Sequence, residues 1–179
     1  MSPRITSTAW IILFALAAFA AVAIAQPDKE GPDKGDKQFV HDAAEASMAE
    51  VKIGQLAMGK AASEDVKHFA QRMIDDHTLA NNELKALAGK KMIDMPKDIG
   101  KHEKTHDKLA KYNAAEFDKE YIDAMVKDHK EVVEMFEKQT ARGQDSDIKK
   151  WAAQTLPTLQ AHLKHAEEMQ KMMKEKKGH

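Results

Sequence analysis

Three histidines, His77, His129 and His162, each sit in the middle of an apolar stripe on a long helical segment; Glu50 lies on a stripe of small residues in a fourth. A neutral imidazole is a ligand for zinc, copper or iron, and a carboxylate can complete the set. A buried polar side chain needs a partner, because leaving it unsatisfied costs ~1–3 kcal/mol. Four such groups, one per helix, are expected to meet inside a bundle. There they could hold one divalent metal ion, or they could hydrogen-bond one another and fix helix register.

The neighbouring residues narrow the chemistry. Asp76 and Asp128 each precede a stripe histidine, so they project about 100° away from it. They suit a supporting role, each accepting an imidazole N–H across a helix interface. Near the C-terminus His165, Met169, Met172 and Met173 are read as one side of a helix, where thioether and imidazole would suit Cu(I); the same methionines also serve as core filler. A di-iron bundle requires Glu-x-x-His on two helices. Here Glu103-x-x-His106 falls on a short connecting segment, and neither His77 nor His162 carries that motif. A di-iron oxidase is therefore disfavoured. No nucleophile elbow, phosphate loop or H-E-x-x-H pattern organises the remaining polar residues.

The elements that must position these groups are helices nearly throughout. Val66, Phe69, Ala70, Met73, His77, Ala80, Leu84 and Leu87 recur at three- and four-residue steps, and so do Phe117, Tyr121, Met125, His129, Val132 and Phe136. Ile148, Ala152, Leu156, Leu159, His162, Ala166, Met169 and Met173 form a third stripe. Ala43, Ser47, Glu50, Gly54, Ala57 and Ala61 make a small-residue face that permits close helix approach. The pattern predicts long helices over 39–62, from Ser63 as cap to Gly89, over 115–142, and from Asp145 or Ser146 to about 174. A shorter helix is expected over 99–112, and Pro157 should kink the last helix. Nothing alternates with period two, so no strand is expected.

A weak internal repeat relates the two halves. Phe39-x5-Glu45-Ala46 parallels Phe117-x5-Asp123-Ala124, and residues 63–70 parallel 145–152. The expected fold is all-α: two helical hairpins forming a ferritin-like four-helix bundle over 39–175, with a short helix in the long connection.

The N-terminus addresses the compartment. Residues 1–25 carry one cation, Arg4, then 17 uncharged residues from Ala9 ending in Ala23-Ile24-Ala25, which is a secretory signal pattern. The competing reading is an uncleaved anchor, since ~17 residues is the shortest span that crosses a bilayer. Export to the periplasm or exterior is expected, and with no cysteine there is no disulfide to stabilise the fold there. Residues 26–38, rich in charge, Pro and Gly, are read as a flexible tether, and 176–179 as a tail. Beyond residue 25 there are 27 cations and 29 acids, which gives no footprint for nucleic acid. Lys171, Lys174, Lys176 and Lys177 form a basic end that could touch anionic lipid, or stand solvated.

The blocks VKHFAQRMIDDHTLANNELKALA, FDKEYIDAMVKDHKEVVEMFE and WAAQTLPTLQAHLKHA resemble the exported, ferritin-like domain-of-unknown-function family 4142. The shared features are Arg-Met-x-x-Asp-His, a later Asp-His and Leu-Pro-x-Leu-x-x-His. Glu50, Asp76, His77, Asp128, His129, Pro157 and His162 match the family pattern. The resemblance implies a ferritin-like bundle in the cell envelope and no particular activity. The sequence thus points to a binding or stress-related envelope protein rather than an enzyme. It would hold one divalent ion (Fe, Zn or Cu) through His77, His129, His162 and Glu50. A metal-free structural or interaction module is the alternative, and a metal-dependent redox enzyme a minor one.

Overall fold

The first long helix starts earlier than its apolar pattern suggests. In a computed structural model, which describes residues 31–175, α1 runs Lys34–Lys60. Two aspartates start it: Asp33 accepts from the Asp36 amide at 2.7 Å and Asp36 accepts from the Asp33 amide at 3.3 Å. Asp36 is 1% exposed and also accepts from Gln139 Nε2 (2.7 Å) and from the amides of Gln144 (3.2 Å) and Asp145 (2.9 Å). Residues 34–38, expected as tether, are therefore helical and pinned to a distant corner of the fold. The rest of that stretch up to residue 30, the signal segment and residues 176–179 lie outside the described residues.

Helix α2 runs Glu64–Lys91. Ser63 occupies its N-cap position, yet its hydroxyl makes no capping bond. The Asp118 carboxylate of the third long helix accepts from the amides of Ala62 (3.0 Å) and Ser63 (2.8 Å). The helix passes Gly89 and ends at Met92, which adopts a left-handed conformation (φ 54°). A 3-10 turn, Gly100–His102, leads into α3, Glu103–Leu109. Then α4 spans Ala114–Arg142, with Asn113 accepting from the Glu116 amide, and α5 spans Ser146–Glu175, helical through Pro157. Asp145 caps α5 by accepting from the amides of Asp147 and Ile148, each at 3.0 Å.

The helices pack as two hairpins, α1 on α2 and α4 on α5, with α1 against α4 and α2 against α5. The connection holding α3 climbs the outside of α1, tied by Lys52 to Glu103 (3.0 Å) and by Lys60 Nζ to the Ala110 carbonyl (2.6 Å). That single full-length crossover makes every pair of neighbouring long helices antiparallel, the connectivity of a ferritin-like bundle. The protein is all-α among the described residues. At Gly54 a Cβ would lie 2.9 Å from Ile74 Cγ1, so this glycine permits the close α1–α2 approach.

The apolar interior falls into two clusters. One is built on Ile53, Phe69, Met73, Phe117, Tyr121 and Met125, the other on Phe39, Leu84, Phe136, Trp151 and Leu159. Each long helix passes from one cluster to the other through a polar residue: Ser47 and Glu50 on α1, His77 on α2, His129 on α4 and His162 on α5. A buried polar layer therefore crosses the middle of the bundle.

Candidate metal centre

In that layer His77, His129 and His162 are 5%, 1% and 1% exposed. Their ring centroids are 5.4–5.7 Å apart. One ring nitrogen from each lies within 4.8 Å of those of the other two. Three points so placed fit within about 2.8 Å of a common centre, against Zn–N bonds of ~2.0–2.1 Å, so small side-chain adjustments would close a first shell.

The hydrogen bonds dictate which nitrogen carries each proton. His129 Nδ1 lies 3.0 Å from the Met125 carbonyl, which can only accept, so Nδ1 donates and Nε2 holds the lone pair. His162 Nε2 lies 2.7 Å from Asp76 Oδ2; it donates to that carboxylate, and the lone pair is on Nδ1. Ser47 Oγ donates its one proton to the His77 carbonyl at 3.0 Å, so at 3.3 Å it accepts from His77 Nδ1, leaving the lone pair on Nε2. The nitrogens left with lone pairs, His77 Nε2, His129 Nε2 and His162 Nδ1, are all buried and find no hydrogen-bond partner among the described residues. Orienting an imidazole through its far N–H is how proteins prepare a metal ligand.

Electrostatics keeps the lone pairs available. Burial lowers the His129 pKa to about 4, helped by His162. Burial, then His129 and His162, holds His77 well below the usual 6.5. Burial also lowers His162, opposed by its bond to Asp76. All three are neutral at pH 7. Glu50 goes the other way: burial, then the nearby Asp128 charge, raises its pKa well above the ordinary carboxylate value; burial, then Glu50, likewise raises that of Tyr121.

Glu50, expected to be the fourth ligand, stands beside the triad rather than in it. Its Oε1 is 3.7 Å from His129 Nδ1, the nitrogen already committed to Met125, and its Oε2 is buried without a partner among the described residues. Glu50, His77 and His129 border a cavity of ≈ 20 Å³, room for one water-sized occupant. Asp76 reaches across the α2–α5 interface to His162 and shares its Oδ2 with Arg72 Nε at 3.3 Å. Asp128 is not brought to any of the three histidines; it faces the crossover, where His102 is its main favourable partner against desolvation. The crossover packs against α1 and α4 on that side of the bundle.

The methionine face is split. Met169 is 3% exposed in the core, Met172 is 49% exposed, and His165 packs edge-on against Phe69 at 5.2 Å. These side chains therefore stand in different environments rather than on one shared face. Among the described residues two other groups could gather around an ion, His41/Asp42/Glu45 and Glu103/His106/Asp107, both more exposed than the triad. Glu103 there pairs with Lys52 on the surface. The role of Ser47 was not read from the sequence, although it stands one turn from Glu50 on the same face.

Fold and site together define an all-α bundle of two antiparallel hairpins closed around a buried tri-histidine centre. The chain belongs to the family described as a domain of unknown function (DUF4142), which it matches over residues 21–169. No curated protein matches its sequence. Similar solved structures include a DUF305 fragment from Deinococcus radiodurans, 12% identical with TM-score 0.71, covering 80% of this chain and 99% of that one. CopM in its Cu(II)-bound form is 19% identical with TM-score 0.62, covering 77% of this chain and 97% of its own. CopM in its Cu(I)-bound form is 18% identical with TM-score 0.63, covering 74% and 93%. At these identities the likeness concerns the fold.

Proposed function

We propose that the protein binds one divalent transition-metal ion through His77 Nε2, His129 Nε2 and His162 Nδ1. The observation that carries this is the triple tautomer: three neighbouring buried imidazoles, each presenting a lone pair on a nitrogen that meets no donor among the described residues. A hydrogen-bond network built for structure alone would pair lone pairs with protons. A cation relieves the mutual repulsion of all three at once, and the Glu50 carboxyl, once ionised, balances the charge brought into the core. Imidazole suits copper and zinc, and Cu(II) is expected to bind tighter than Zn(II). CopM, a protein of similar fold with copper-bound forms, supports copper as a candidate ion. A cavity sized for one small occupant favours holding an ion over transforming a substrate. The apolar segment 9–25, read as a secretory signal, supports a working place in the periplasm or outside the cell, with an uncleaved N-terminal anchor as the alternative. Among the described residues no helix is long and apolar enough to cross a membrane.

Native mass spectrometry after titration with Cu(II) and with Zn(II) tests this. One equivalent should be retained, and none by a variant with His77, His129 and His162 all changed to Ala. Equal retention by both proteins would overturn the assignment. Asp76 supplies a graded test. Asp76→Asn removes the anionic acceptor that orients His162, and affinity should fall about 10–100-fold while one ion is still bound. Unchanged affinity would mean that the bond is incidental to the site.

A further inference from the structure

We infer that metal reaches the histidine centre through the α2–α5 seam, captured first at Asp76 and Glu83 and passed inward between Ala80 and Thr155. This rests on the metal-binding role proposed above and concerns its route. A surface groove along the seam is lined by Asp76, Leu79, Glu83, Gln154, Thr155 and Thr158, with its two carboxylates on one face of α2 about two turns apart. Ala80 and Thr155 line this groove and also the small inner cavity that His77, His129 and Glu50 border. Only those two short side chains are common to both spaces, so they form the wall between outside and centre.

Asp76 links the two sides chemically. It lines the outer groove, and its Oδ2 is 2.7 Å from His162 Nε2 on the inside. A cation that loses water at this mouth does so beside the carboxylate that orients His162, and the cavity behind the wall is bordered by the other two histidines. Pro157 lies on α5 between the two threonines of the groove; it has no amide to bond the Ala153 carbonyl, which loosens the helix where the wall stands.

Cu(II) uptake by the full chain, followed in a stopped-flow instrument by quenching of tryptophan emission, reads the route; Trp151 lines the inner cavity. Ala80→Leu, which adds three carbons to the wall, should slow association at least about tenfold. Glu83→Gln alters an exposed side chain and should fold normally. It should slow association about two- to fivefold and weaken its dependence on salt, as loss of a steering charge does. Wild-type association rates in both variants would overturn the route. Failure of the wild-type protein to take up Cu(II) would instead overturn the binding role on which the route depends.

Discussion

Replacing His129 by leucine is expected to abolish stoichiometric metal binding and to leave the metal-free protein as stable as the wild type, or more so. Losing one of three ligands should weaken binding by at least about 100-fold, since even an orienting partner is worth 10–100-fold. The wild type at metal a hundredfold above its Kd gains about 2.7 kcal/mol from binding, and the variant at most about 0.4 kcal/mol. The second half of the expectation follows from His129 itself. It is 1% exposed, and its Nε2 has no partner among the described residues, a burden of ~1–3 kcal/mol that leucine does not carry. Its Nδ1 satisfies the Met125 carbonyl, which already belongs to the α4 ladder, so that group is not left bare. Urea unfolding with a chelator and with added Cu(II) separates the two effects. A metal-free variant markedly less stable than the wild type would favour the alternative in which the histidines act as a structural network.

The three histidines were legible because each interrupts an apolar stripe at helical spacing, and such an interruption must be explained by a partner. Asp76 and Asp128 had the same legibility, one residue before a stripe histidine, and the fold treats them differently. Beside α2 lies α5, which offers His162; beside the Asp128 flank of α4 lies the crossover, which offers His102. Which element fills a flank depends on topology, and local spacing is silent about it. The same limit explains α1. Asp36 reads as a tether charge until its partners, 103 to 109 residues away, are in place. The Ser63 cap was legible as a position, while the group that satisfies the amides there, Asp118, comes from another helix. Met172 and Met173 are adjacent and so about 100° apart on α5, which is why one reaches solvent and the other packs on the core. Glu50 was correctly placed on a buried face, but the sequence carried no sign that it would meet His129 at the committed nitrogen.

The buried layer should also set the pH dependence of the metal-free protein. His129 titrates at about 4 when folded and near 6.5 when unfolded. Above 6.5 neither state holds the proton, and its neutral burial costs nothing extra. As pH falls from 6.5 toward 4 only the unfolded chain takes up the proton, so stability is lost across that window, on the order of 3 kcal/mol for His129. His77 and His162 are shifted in the same direction and add to the loss. Glu50 has the opposite sign: its folded pKa is raised, so above 4.5 the unfolded chain ionises first and stability falls as pH rises. Three groups oppose one between pH 4.5 and 6.5, so net stability should climb with pH there. Urea midpoints from pH 4 to 8 in chelator, read as differences from wild type, isolate each contribution. The His129→Leu difference should grow in the variant's favour as pH falls through 6.5, and the Glu50→Gln difference should grow as pH rises above 4.5. A His129→Leu difference that stays flat with pH would show that the folded protein protonates this imidazole as readily as the unfolded chain does. The lone pair would then not be held in readiness for a metal.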